Sequence, residues 1–150
     1  MKSIKEILYD HCQQFVEERL NRIHHRMNSI QESLTSETKS TAGDKHETGR
    51  AMLQLEREKT GVQLSEAKKL NEILSKVDIS SNSSVAHLGS LVTTSTGNYF
   101  LSISVGEIII DKVAYFAIGI NTPIGKMLLG KTVGARFLFN GKNVVIEHID

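Results

Sequence analysis

Thr35-Ser36-Glu37-Thr38-Lys39-Ser40-Thr41-Ala42-Gly43-Asp44-Lys45-His46-Glu47 separates two long runs of helical periodicity, and a reversal there folds the first half of the chain into a hairpin of helices. The run is rich in hydroxyls and reaches a glycine, which is the composition of a turn. Upstream, apolar side chains recur at Ile4, Leu8, Cys12, Val16, Leu20, Ile23, Met27, Ile30 and Leu34. Steps of three and four lay these residues along one stripe of a helix. Downstream, a second stripe is read at Ala51, Leu55, Val62, Leu70, Ile73 and Val77, flanked by Met52 and Leu74. The first helix is expected to stop after Leu34, and the second to run from about Asp44 or Lys45 to Val77. Helices of roughly 30 residues each would be about 45 Å long at 1.5 Å per residue. A short polar connection makes them antiparallel neighbours. Residues 1–77 therefore read as an antiparallel coiled-coil finger with its tip near 36–47. Periodicity alone favours a scaffold or dimerisation hairpin.

Composition changes beyond the second helix. Residues 1–77 are rich in Lys, Glu, Gln, Arg and Leu and contain no Pro, whereas 85–150 are rich in Val, Ile, Gly and Phe. Such a shift marks a change of architecture. Between them, Asp78-Ile79-Ser80-Ser81-Asn82-Ser83-Ser84 has too little apolar surface to bury and reads as a mobile linker. Strands are expected at Leu88 to Thr94, Tyr99 to Val105, Glu107 to Ile110, Ala114 to Ile118, Thr132 to Phe139 and Asn143 to Ile149. Asn140-Gly141 is a hairpin turn, because both positions tolerate positive φ. Thr122 can cap, and Pro123 open, a short helix that ends at Gly130. The expected class is α+β: the finger, then a small antiparallel sheet with one short helix at 85–150.

Charge narrows the partners. The net charge is +1. Residues 1–77 hold 13 Lys/Arg against 12 Asp/Glu and the remainder 5 against 5, so neither half is built to grip a phosphate backbone. A single cysteine, Cys12, excludes an intramolecular disulfide and fits a reducing cytosol. Without an apolar h-region or an apolar run of about 18 residues, a cytoplasmic protein with no membrane role is expected.

Several chemistries lack their residues. His11-Cys12 and His24-His25 do not have the spacing of a zinc site. Cys12 falls on the apolar stripe, where a buried thiol is the ordinary outcome. Gly125-Lys126 and Gly130-Lys131 are not a phosphate-binding loop. Asp44 and Glu47, three apart at a helix N-terminus, present two carboxylates on one side of its first turn. They suit two roles: capping the second helix, with Asp44 as cap and Glu47 completing the box, or supplying one or two carboxylates to Mg²⁺.

Three stretches carry a resemblance. Gly43-Asp44-Lys45-His46-Glu47 matches a tip pattern of glycine, aspartate, two variable positions and glutamate. Ile120-Asn121-Thr122-Pro123-Ile124-Gly125-Lys126-Met127-Leu128-Leu129-Gly130-Lys131 is similar to a serine-proline, isoleucine, leucine and glycine-lysine stretch, with Thr122 before the proline. Leu88-Gly89-Ser90-Leu91-Val92 is similar to the strand that opens the C-terminal part. In this order, and over nearly the whole chain, they resemble the bacterial Gre family of transcript cleavage factors.

The resemblance implies an FKBP-like C-terminal domain docked on the rim of the RNA polymerase secondary channel through Asn121, Thr122, Pro123, Ile124, Leu128 and Lys131. It implies a finger inside that channel, with Asp44 and Glu47 helping to hold a second Mg²⁺ and a water at the polymerase active site. The displaced 3′ end of a backtracked RNA is then hydrolysed. The chain would be a monomer, no enzyme on its own, with no cofactor in isolation and only indirect contact with the nascent RNA 3′ end. Lys45 and Arg50 are candidates for RNA contact. Where the family continues after the glutamate with asparagine, alanine, glutamate and tyrosine, this chain reads Thr48-Gly49-Arg50-Ala51-Met52. A channel-binding regulator without cleavage, and a coiled-coil module unrelated to polymerase, are the alternative functions.

Overall fold

The computed structural model describes residues 1–39 and 43–150, with side chains described at 1–37 and 47–150. Two long helices, α1 (Ile4–Lys39) and α2 (Gly43–Ser75), precede strands β1 (Leu91–Thr94), β2 (Asn98–Ser102), β3 (Gly106–Ile110) and β4 (Val113–Gly119). A short helix α3 (Pro123–Leu128) and strands β5 (Arg136–Phe139) and β6 (Lys142–Ile149) complete the chain. The class is α+β. The chain divides into two compact units: Val16–Asn71, and Met1–Phe15 together with Glu72–Asp150.

In the helical unit the α1 stripe is as expected, with Val16, Ile23, Ile30 and Leu34 buried and Leu20 and Met27 half-buried. The helix does not stop after Leu34 but continues to Lys39. Hydroxyl residues do not break a helix unless a glycine or proline does so, and Thr35 Oγ1 satisfies itself by donating to the Gln31 carbonyl at 2.9 Å.

The second stripe is covered as expected at Leu70, Ile73, Leu74 and Val77, but nearer the tip it needs a larger correction. Ala51, Leu55 and Val62 are exposed, while Leu53 is half-buried and Thr60 and Ala67 are buried at 1% and 0% exposure. Leu53, Thr60 and Ala67 are seven residues apart, and half-buried Leu64 lies between the last two. The buried seam is hard to read because it uses a threonine and an alanine, residues of little hydropathy. The Thr60 hydroxyl donates to the Glu56 carbonyl at 2.8 Å, so its burial leaves no polar atom unmet.

The second unit is built on a six-stranded sheet in the order β3-β4-β2-β1-β6-β5. It is mixed, not antiparallel: β2 and β4 run parallel, with Tyr99 opposite Phe116 and Leu101 opposite Ile118. Strand β3 does not pair with β2, its neighbour in sequence, but only with β4. β4 fills the slot beside β2, which places the Ile-rich β3 at the edge. Asn140 (φ 50) and Gly141 (φ 77) form the expected tight turn of the β5–β6 hairpin. Two expected strands are shorter at their starts. Residues 87–90 form a turn in which Ser90 N–H donates to the His87 carbonyl at 2.9 Å, and Ala135 N–H similarly donates to the Thr132 carbonyl at 3.1 Å.

The core of this unit centres on Ala86, Val92, Leu101, Leu128 and Ile146. The base of α1 belongs to the same unit. Leu8 and Cys12 are fully buried, and Cys12 Sγ shares a hydrogen bond with Ser102 Oγ at 3.5 Å. Burial pushes the Cys12 thiol above its ordinary pKa, against the smaller opposing effect of the Ser102 hydrogen bond, so it is a protonated core residue. At the end of α2, the Tyr9 hydroxyl donates to the Leu74 carbonyl at 3.2 Å.

Residues 78–84 are tied into this unit, in contrast to the mobile linker expected from composition. Ser80 donates to the Asp78 carboxylate from both its N–H, at 3.0 Å, and its hydroxyl, at 2.6 Å. The buried Lys5 ammonium reaches the Ser81 carbonyl at 3.4 Å. A segment with six polar residues of seven needs little apolar surface of its own when its side chains close local hydrogen bonds.

Candidate functional site at the hairpin tip and around the short helix

Two groups of residues carry the functional expectations, one in each unit. In the helical unit, Gly43 opens α2. Asp44 lies within that helix, but its side chain and those of Lys45 and His46 fall outside the described residues. Glu47 is described and is exposed, as is Arg50. The backbone places positions 44 and 47 three residues apart in the first turns of one helix, which is the spacing that sets two side chains on one side.

The structure adds a carboxylate that the sequence reading did not single out. A Cβ built on Gly49 would lie 3.5 Å from Glu37 Oε1 and 3.6 Å from its carboxyl carbon. Glu37, near the end of α1, therefore rests its carboxyl group against α2 two residues beyond Glu47. The signal was hidden in the hydroxyl-rich run, read as turn and thus assigned no facing partner. These are ordinary van der Waals distances, so the approach would also accommodate a Cβ at position 49.

In the other unit, the segment at 119–131 is shaped by one threonine and one glycine. Thr122 caps α3: its hydroxyl accepts from Gly125 N–H at 3.1 Å and donates to the Gly119 carbonyl at 2.7 Å. Pro123 occupies the opening position, where its missing N–H costs nothing. A Cβ on Gly125 would fall 2.2 Å from the Gly119 carbonyl oxygen, so only glycine allows α3 to lie this close to the turn before it.

The six residues expected to dock differ in what they present. Asn121, Pro123 and Lys131 are exposed, whereas Thr122 and Ile124 are half-buried. Leu128 is 0% exposed and packs with Val92, Leu101 and Ile146, so its side chain supports the segment and offers nothing to a partner. The apolar side chains that do reach the surface here are Leu129 and Val133, 40% and 55% exposed. Leucine at 128 and leucine at 129 are indistinguishable by type. Only the helix phase decides which one turns inward.

Among the described residues, no three His, Cys, Asp or Glu side chains converge as a metal site. No helix among them is long and apolar enough to cross a membrane. Comparison with protein-family models and with curated proteins finds no match to this chain.

Proposed function

We propose that this chain is a Gre-type transcript cleavage factor, a cytoplasmic protein that works inside RNA polymerase and has no catalytic activity of its own. The observation that carries the reading is the long hairpin, with helices of 36 and 33 residues and exposed Glu47 at its distal end. At 1.5 Å per residue each helix spans about 50 Å, enough to carry a tip carboxylate deep into a channel. The reading takes the hairpin as a coiled coil and the sheet unit as an FKBP-like domain. Asn121, Pro123, Lys131 and the neighbouring Leu129 and Val133 then form the exposed face that meets the channel rim.

Asp44 and Glu47 are the residues that would hold Mg²⁺ in the assembly. Their chemistry fits, because this hard cation takes carboxylate oxygens and is commonly held by only one or two of them, with water and phosphate completing its shell. Bound there, it would stabilise charge on the attacking and leaving oxygens of an in-line phosphoryl displacement. The task left to this chain is positioning: α2 holds positions 44 and 47 in one helical register, and exposed Arg50, one turn further, offers positive charge to RNA phosphate. Two carboxylates leave the remaining positions around the cation to water, phosphate and the polymerase.

A channel-binding regulator without cleavage is the second reading, favoured by Thr48-Gly49-Arg50-Ala51-Met52 where the resembled family has a further acid and an aromatic. Addition to stalled, backtracked elongation complexes separates the two. Mg²⁺-dependent shortening of 3′-labelled RNA is expected, lost in Asp44→Ala and Glu47→Ala with polymerase binding kept. Binding without shortening leaves the regulator. No co-purification with polymerase rejects both.

A further inference from the structure

Helix α2 carries two lengthwise stripes, and only one of them is covered. Leu53, Thr60, Leu64 and Ala67 form the buried seam of the helical unit. Met52, Leu55, Lys59 and Val62 form a second row with the three- and four-residue steps of a helix-packing seam. Yet Met52, Leu55 and Val62 are 68%, 53% and 60% exposed. Large apolar side chains at such spacing on one open face mark an interaction surface more strongly than scattered ones do.

A row of cations borders it. Arg19, Arg22 and Arg26 follow the same steps along α1. A hollow of about 280 Å³ lies against all three, and a second of about 390 Å³ lies against Arg26, Met52, Leu55 and Lys59. Arg26 and Gln63 line both, so the two hollows form one groove. Its lining holds four cations and a single carboxylate, Glu56. Among the described residues, none of the four cations has an ion-pair partner.

We propose that this groove docks an acidic amphipathic helix of a partner protein. The apolar residues of that helix would seat on Met52, Leu55 and Val62, and its carboxylates would meet Arg19, Arg22 and Arg26. A helix lying beside two others reproduces ordinary three-helix packing, and the seam spacing on α2 is suited to receive it. Charge selects the acidic partner, because the arginine forks bind carboxylates in a bidentate way. A nucleic acid would use the arginines and leave the apolar row uncovered, while a second copy of this hairpin would bring the same unpaired cations. The inference stands whether or not the chain acts on polymerase.

The test uses the full chain and a fluorescein-labelled peptide of about three heptads, with leucine at a and d and glutamate at e and g. Three comparison probes are the same peptide with lysine for glutamate, a scramble of equal composition, and a single-stranded RNA oligonucleotide. Anisotropy is expected to show binding of the acidic helix alone. Affinity should fall by about tenfold or more, that is by about 1.4 kcal/mol, in Leu55→Glu with Val62→Glu and again in Arg22→Glu with Arg26→Glu, while Lys68→Glu has little effect. Amide shifts should move in 19–26 and 52–63. Circular dichroism checks that the variants remain helical; if a double variant unfolds, Leu55→Gln and Arg26→Gln singly give the same reading. Equal binding of the scramble or the lysine peptide overturns the proposal. So do RNA binding without peptide binding, affinity indifferent to Leu55, and self-association that Leu55→Glu abolishes.

Discussion

Asp111 and Lys112, with φ of 50° and 68°, join β3 to β4 in a two-residue turn built without glycine. The left-handed region is strained for residues with a Cβ, more for lysine than for aspartate. Lys112→Gly is therefore expected to raise stability by about 0.5–1 kcal/mol, read as a higher urea midpoint with unchanged slope. Asp78 illustrates a different residue-scale effect. The Ser80 side-chain and backbone hydrogen bonds hold its carboxyl below the ordinary value of 3.8. A depressed folded-state value means that the stabilisation is fully present above pH 3.8 and is lost as pH falls through the lower folded value. Ser80→Ala should move the Asp78 titration upward in a carbonyl NMR experiment and slightly lower stability above pH 3.8, neutral pH included, while leaving stability in acid below the folded value unchanged. Neither effect was legible in advance: the turn lacked the glycine signal, and the Ser/Asn run carried no sign of which serine faces which acid.

At the scale of elements, the two stripes of α2 make opposite predictions. Ala67 is fully buried in the helical seam, so Ala67→Glu inserts an unpaired charge and should destabilise by about 3–5 kcal/mol. Leu55→Gln removes a side chain that already faces water and should shift the melting temperature by little. If thermal unfolding followed by circular dichroism ranked them the other way, the stripe first read from the sequence would be the true seam. Over residues 51–62 hydropathy favoured the wrong stripe, because leucine and valine stand on the open face while threonine and alanine stand inside; at Leu70, Ile73, Leu74 and Val77 the expected residues are half-buried or buried. In α1 the two criteria agree, and the stripe was readable residue by residue. The short helix α3 was also readable, since a threonine, a proline and a well-placed glycine each act through local geometry.

On the scale of the whole molecule, composition divides the chain near 77–85, whereas packing divides it at 15/16 and 71/72. The sheet unit takes in the first 15 residues, among them fully buried Leu8 and Cys12, and the end of α2 with Leu74 at 2% exposure. A fragment of residues 78–150 would thus expose apolar surface that the intact chain covers. It is expected to bind ANS and lose its near-ultraviolet dichroism, and to recover both when residues 1–15 and 72–77 are restored in a circularly permuted chain. A fragment with full near-ultraviolet signal and no dye binding would show the sheet to be self-sufficient.

By itself the sequence determined the local grammar of this protein: two long helices, the α1 stripe, six strand-forming segments, the Asn140-Gly141 turn, the Thr122-Pro123 cap and an acidic pair at 44 and 47. Those features rest on neighbours within a few residues, and the side chains that produce them are themselves the signal. Tertiary structure alone decided the parallel pairing of β2 with β4, the inward turn of Leu128 rather than Leu129, the face of α2 that meets α1, and the approach of Glu37 to Gly49. Each depends on a partner distant in sequence, and choosing among alternatives of nearly equal local preference falls to packing.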